Sequence, residues 1–213
     1  IRLHVLDSLS AVGPVRARLG DVRSVVDIGS GGGYPGIPLG LALGAGTIGL
    51  VDSVGRKARF LEVAGAAARA AVADERALEV EVLPVRAEEL ASGERRATWD
   101  VATVRAVGSV AECAELGLPL LRPGGLLVCW KRDSPVAQHE VGSEVAAARP
   151  LVHRLGGGVP DVVDAGVPGA PGHRLVLVRK ERPTPGSYPR PPALRRSDPS
   201  RPARHVAGAT RRS

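Results

Sequence analysis

Apolar and polar positions along this chain follow two rhythms that take turns. Val22 to Ile28 is a short, mostly apolar run of the kind buried on both faces of a sheet, and residues 35–44 follow it as a short apolar helix. Thr47 to Asp52 repeats the strand pattern, and residues 55–73 place Phe60, Leu61, Ala64 and Ala68 at helical spacing. Further strands are predicted at 80–85, 99–104 and 126–131, with a helical turn at 86–91 and helices at 110–121 and 135–149. Pro123-Gly124-Gly125 reads as the turn that opens the fifth strand. Residues 151–155 and 173–179 read as two closing strands around a Gly/Pro-rich connection. Repeated strand–helix pairs predict an α/β fold. The sheet is seven-stranded, mostly parallel and covered on both faces, with an antiparallel hairpin at one edge.

The first strand carries the most specific chemistry. Asp27-Ile28-Gly29-Ser30-Gly31-Gly32-Gly33-Tyr34-Pro35-Gly36 ends an apolar run in a carboxylate and then bends through glycines into a helix. A main chain turns that tightly, and approaches a ligand that closely, only at glycine. The segment also satisfies the G-x-G-x-x-G pattern of dinucleotide sites, a weak signal alone. Asp27 argues against a pyrophosphate, which a carboxylate repels, and for a cofactor bearing an ammonium group, as S-adenosyl-L-methionine does. Asp52, ending the second strand, suits ribose hydroxyls in either a methyltransferase or a nicotinamide enzyme, and equally suits a helix N-cap. After the third strand, Ala87-Glu88 stands where an adenine edge is read in such folds. Arg105 ends an otherwise apolar fourth strand, so it is either functional or a partner for Asp27 or Glu88. Lys131 and Arg132, ending the fifth strand, suit a phosphate or plain solvation.

Composition narrows the classes. The chain has 213 residues, 44% hydrophobic and only 2% aromatic, so its core is Val, Leu and Ala packing. Of 29 basic residues only Lys57, Lys131 and Lys180 are lysines. The whole chain is +7. Residues 179–213 hold ten basic side chains against Glu181 and Asp198, so the body is near neutral. Cys113 and Cys129 are too few for a disulfide framework or a metal site, and His4, His139, His153, His173 and His205 show no ligand spacing. No apolar run has membrane-spanning length and no signal peptide is visible, so the expected setting is cytoplasmic, without membrane or metal. Ile1 opens a chain without methionine, which predicts a missing N-terminal segment. There is no Asn/Asp-Pro-Pro-aromatic segment for exocyclic amine methylation and no Pro-Cys nucleophile for pyrimidine carbon methylation.

With those residues in view the chain resembles the glucose-inhibited-division protein B family, bacterial methyltransferases of guanine N7 in small-subunit rRNA. The likeness rests on His4-Val5-Leu6-Asp7-Ser8-Leu9, Asp27 through Pro38 and Val51-Asp52-Ser53. It continues through Arg59-Phe60-Leu61, Arg86-Ala87-Glu88-Glu89, Val104-Arg105-Ala106 and Pro119-Leu120-Leu121 to the Leu175–Lys180 strand and Tyr188-Pro189-Arg190. It implies a Rossmann-like class I methyltransferase fold and S-adenosyl-L-methionine as cofactor. Contacts at Gly29, Tyr34, Ala87, Glu88 and Arg105 follow, beside Asp27, Gly31 and Asp52. Tyr34 could equally wall a guanine pocket. The implied partner is 16S rRNA or the 30S subunit, with Lys131, Arg132 and Arg190 as RNA contacts and the protein a monomer. Residues 1–21 are then the remnant of a helical N-terminal region, 22–180 the methyltransferase domain, and 181–213 a basic Pro/Arg-rich tail expected to be disordered. No catalytic acid or base is expected, because N7 already offers an in-plane lone pair and needs only alignment. The rivals are a nicotinamide-dependent oxidoreductase and a non-catalytic RNA-binding or ribosome-assembly factor. Adenosylhomocysteine at about 100 times its dissociation constant adds ~2.7 kcal/mol to stability. A thermal melt is therefore expected to rise with that ligand and stay put with NAD.

Overall fold

The computed structural model describes residues 2–72, 77–134 and 140–197. Two helices, α1 (Arg2–Leu9) and α2 (Val12–Leu19), precede an alternating series. It runs β1 (Ser24–Ile28), α3 (Gly36–Leu43), β2 (Thr47–Val51), α4 (Gly55–Ala70), β3 (Glu79–Leu83), α5 (Ala87–Ser92), β4 (Trp99–Arg105) and α6 (Val110–Gly117). A 3-10 turn (Leu118–Leu120) leads to β5 (Leu121–Arg132), α7 (Val141–Arg154), β6 (Asp161–Asp164), β7 (His173–Arg179) and α8 (Pro192–Ser197). The seven strands lie in the order β3-β2-β1-β4-β5-β7-β6. The first five pair in parallel, while β7 runs antiparallel to both β5 and β6. The fold expectation holds.

Strand alternation builds the two cores. Val25, Val101, Leu126 and Leu175 point to one face, where α2, α3 and α4 supply Val15, Leu39 and Leu61. Val26, Ala102, Leu127 and Val176 point to the other, covered by α5, α6 and α7 through Leu90, Cys113 and Leu151. Cys129 is a buried core residue there, as its apolar run suggests. Chain order reverses between β1 and β4, and in open α/β sheets the crevice beyond the carboxyl ends of such strands receives ligands.

Two expectations need correction. Residues 151–155 do not form a strand: Leu151 to Arg154 complete α7, and the antiparallel hairpin is β6–β7. Pro150 lies inside that helix, where a proline reads as a boundary, yet Leu151 and Val152 keep the helical burial period. The predicted 135–149 helix begins at Val141, with 135–139 outside the described residues; residue 73 of the predicted 55–73 helix is likewise outside. The second correction concerns the tail. Residues 181–197 follow a defined course rather than a disordered one, with Tyr188, Arg190 and Arg195 buried, and 198–213 fall outside the described residues. The Arg96 guanidinium donates to the carbonyls of Thr184 (2.8 Å), Pro185 (3.1 Å) and Tyr188 (2.8 Å). Tyr188 is buried in the core.

Arg190, expected to meet RNA, is instead locked inside the protein. It is 3% exposed, and Glu115 of α6 is 1% exposed. Arg190 Nε and Nη2 donate to the Glu115 carboxylate at 2.9 and 2.6 Å, and the Arg190 backbone N–H adds a bond of 2.7 Å. Breaking a buried pair strands a desolvated charge, at a cost of about 3–5 kcal/mol. Denaturant unfolding of Arg190→Ala or Glu115→Ala should show a loss of that order. The Arg190→Met/Glu115→Leu double variant should recover most of it, a result that a phosphate-binding Arg190 would not give.

Candidate active site

The glycine turn after β1 is held from both sides by carboxylates. Asp27 is 1% exposed, and its carboxylate accepts the Gly36 backbone N–H at 3.1 Å and the Thr103 hydroxyl at 2.7 Å. The β1–β4 register sets Asp27 opposite Thr103. A Cβ on Gly36 would sit 2.6 Å from the Asp27 Cβ, so only glycine lets the helix start this close. On the outer side, Asp52 accepts the Gly31 N–H at 3.1 Å and the Val54 N–H at 3.0 Å. Its carboxylate thus ties the glycine turn to the approach of α4, whose own N-cap is Val54.

Two cavities open beyond these strands. One, of about 480 Å³, is walled by Gly29, Asp52, Ala87, Glu88 and Arg105, among others. The second, of about 690 Å³, is walled by Asp7, Trp130, Lys131, Arg132, Glu144 and His173 among others. Arg105, Ala106 and Val107 line both. That shared wall is held rigidly. Ala106 has φ +57°, a left-handed conformation uncommon for a residue with a side chain and often found at functional sites. A reciprocal Ser109–Glu112 capping box then starts α6 three residues later.

Five of the expected cofactor residues, Gly29, Asp52, Ala87, Glu88 and Arg105, therefore stand together in one cavity wall. Gly29 is the close-approach position: φ is +73°, and an added Cβ would meet Val107 at 3.0 Å. Asp27 does not face the cavity. Its expected role of gripping an ammonium group is replaced by an internal one, because its bonds from Gly36 and Thr103 point into the protein. Gly31 acts through its N–H on Asp52, and Tyr34 lies outside both cavity walls. The Tyr34 ring centroid is 5.8 Å from the Arg105 guanidinium carbon and 5.8 Å from the ring of His4.

Arg105 pairs with neither Asp27 nor Glu88. Its Nη1 donates to Asp7 Oδ2 at 3.2 Å, while Asp7 Oδ1 meets His173 Nδ1 at 3.0 Å. The Asp7 carbonyl also accepts the Trp130 indole N–H at 2.9 Å, so α1 is fastened to β4, β5 and β7 through one residue. Lys131 is not a free surface cation: its Nζ donates to the Gly108 carbonyl at 2.7 Å and to Glu144 at 2.9 Å. Arg132 is exposed at the same rim. Sequence reasoning assigned no site role to Asp7, which it met only within a family-like segment, or to Glu144, His173 or Arg195, all of which reach the cavities from distant parts of the chain.

Burial pushes the Asp27 carboxyl up to about 6, against hydrogen bonds from Thr103, Gly36 and Ser30 and the charge of Arg105, which pull it down. A folded pKa above the unfolded 3.8 means the native state holds the proton more tightly. This group's contribution to stability is then greatest at low pH and is lost as pH rises from about 4 to about 6. Relative to wild type, Asp27→Asn should gain unfolding free energy across that window, on the order of 3 kcal/mol for a shift of two units. Denaturant melts of the two proteins at pH 4, 5, 6 and 7 test the sign; a difference that does not change with pH contradicts it.

Known proteins resemble this chain in sequence and in fold. The chain is 39% identical over 189 residues to a ribosomal RNA small subunit methyltransferase G from Roseiflexus sp. strain RS-1, covering 88% of this chain and 74% of that protein. The protein of the same name from Rubrobacter xylanophilus is 39% identical over 192 residues, covering 88% of this chain and 68% of its own length. Among solved structures, Trm1 from Pyrococcus horikoshii in complex with S-adenosyl-L-methionine aligns with a TM-score of 0.60 at 15% identity, over 84% of this chain and 55% of that one. A Burkholderia thailandensis 1,6-didemethyltoxoflavin-N1-methyltransferase with bound S-adenosylhomocysteine aligns with a TM-score of 0.51 at 22% identity, over 83% of this chain and 79% of its own. At such identities the structures establish the fold alone. The profile of one family, described as rRNA small subunit methyltransferase G, matches residues 1–153, and the chain belongs to that family.

Proposed function

We propose that this chain transfers the methyl group of S-adenosyl-L-methionine to N7 of a guanosine in 16S rRNA. The observation that carries the reading is the pair of cavities sharing Arg105, Ala106 and Val107. A donor and an acceptor that must meet in line need two seats with a common wall. The donor, when bound, supplies a methyl group already activated on a sulfonium.

The residues present suit that donor. Gly29 leaves room for close approach at the backbone, and Asp52 offers carboxylate oxygens for ribose hydroxyls. Ala87 and Glu88 offer a backbone N–H and a carboxylate for an adenine edge. The second cavity suits a base that needs no proton removed. Asp7 is paired with Arg105 and His173, and Glu144 with Lys131. The chain's work is thus to bind, orient and shield, which together are worth up to ~7–11 kcal/mol of barrier in favourable cases.

In this reading residues 22–180 form the methyltransferase unit, and α1 completes its acceptor cavity through His4 and Asp7. The enzyme acts as a monomer in the cytoplasm, on 16S rRNA within the 30S subunit, with Arg132 at the rim of the acceptor cavity on an RNA phosphate. No described helix is long and apolar enough to cross a membrane. Donor-label incorporation into unmethylated 30S subunits and into naked 16S rRNA, with the product digested to nucleosides, tests the proposal. It predicts 7-methylguanosine; label in another nucleoside, or none with either substrate, overturns it. Arg105→Ala should lower kcat/KM about 10- to 100-fold, the loss expected for one charge-assisted contact of ~1.5–3 kcal/mol.

A further inference from the structure

The packed C-terminal segment delivers a cation into the donor cavity. After the Arg96 clamp and the Arg190–Glu115 pair, the chain enters α8, and Arg195 is 7% exposed. Its Nη1 donates to the Arg190 carbonyl at 3.0 Å, and its Nη2 donates to Glu88 Oε1. Both Arg195 and Glu88 belong to the wall of the donor cavity. The segment does not need this contact to stay attached, since Arg96 and Glu115 already hold it upstream. Among the described residues no other side chain bonds to the Glu88 carboxylate.

We infer that Arg195 is a positioning residue for the donor's adenine: it fixes the Glu88 carboxylate in one orientation, with Oε1 engaged and Oε2 left for an adenine N–H. This rests on the reading of Glu88 as an adenine contact. A glutamate on a short helix otherwise samples several rotamers, and freezing it at the moment of binding weakens affinity. Arg195 makes that loss in advance, during folding. It also adds to what favours the ionised form of that carboxylate. Burial pushes the Glu88 carboxyl up, but the Arg195 hydrogen bond, the Glu88 backbone N–H and the charges of Arg195 and Arg86 together outweigh it and leave the group below its usual range. An ionised carboxylate accepts from an amino group at both oxygens, whereas a protonated one does not.

Titration calorimetry with adenosylhomocysteine decides the matter, using wild type, Arg195→Ala, Arg195→Lys, Glu88→Gln and the Arg195→Ala/Glu88→Gln double variant. Arg195→Ala should weaken binding about tenfold, the lower end for hydrogen bonds to charged groups, and Arg195→Lys should restore part of it. In the Glu88→Gln background the alanine change should cost little, because the two residues act as a unit. In turnover with 30S subunits the loss should fall more on the KM for the donor than on kcat. Circular dichroism melts check folding, and Arg195→Gln, which retains a donor for the Arg190 carbonyl, replaces the alanine variant where that one unfolds. Equal or tighter binding by Arg195→Ala, or additive losses in the double variant, overturns the inference. A Glu88→Gln protein that binds like wild type overturns the Glu88 assignment itself, a separate result from failure at Arg195 alone.

Discussion

A buried carboxylate with no place in either cavity organises this site. Asp27 sits under the glycine turn, accepts the Gly36 N–H and the Thr103 hydroxyl, and so joins the end of β1, the start of α3 and the neighbouring strand β4. Placing an ionisable group there is costly, and its raised pKa records that cost. The return is geometric. A turn with left-handed glycines at 29, 31 and 33 has many accessible conformations in isolation. Two carboxylates remove them, Asp27 from inside and Asp52 from the cavity side. The cavity floor is then a rigid object against which affinity for a small ligand can be expressed.

The same logic recurs one strand over. Arg105 ends β4 between the two cavities and is held by Asp7, which His173 holds in turn. Three elements that are far apart in the chain, α1, β4 and β7, meet at that carboxylate, and Trp130 of β5 donates to the backbone carbonyl of the same residue, so donor and acceptor seats cannot shift independently of the sheet. The strained backbone of Ala106 next door and the capping box of α6 fix the other side of the wall. In-line transfer tolerates little misplacement, and a shared wall built from sheet ends meets that demand better than two loops facing each other would.

What was legible from the residues, and what was not, follows from the range of each interaction. Strand and helix rhythm is local, and so β1 to β5 and their helices were readable from periodicity. The glycine turn was readable because φ > 0 restricts residue choice within a few positions. The role of Asp27 was not. Chemistry in the sequence suggested a ligand contact, and only the β1–β4 register, which puts Thr103 opposite it, turns the carboxylate inward. The 151–155 strand expectation failed for a related reason: a short apolar run suits a strand as well as a helix, and burial of Leu151 and Val152 against the core carried α7 onward. Asp7 stood in a family-like segment but its role was not readable there, since its partners Arg105 and His173 lie 98 and 166 residues away.

The tail shows how far composition can mislead about arginine. Residues 179–213, with ten basic residues in 35, look like a solvated polyanion-binding segment, and by charge count alone they are one. Yet Arg190 and Arg195 point inward, to Glu115 and Glu88. Arginine suits both roles because its planar fork pairs with a buried carboxylate as well as with a phosphate. What separates the roles is whether the body of the fold offers an acid at the right place. Glu115 is the third-last residue of a helix otherwise buried around it, a position that makes sense only with a cation delivered from outside the sheet. The near-neutral body and the basic tail are therefore partly one system. Three of those ten positive charges, Lys180, Arg190 and Arg195, are buried in the domain, and fewer remain for RNA than the net charge suggests.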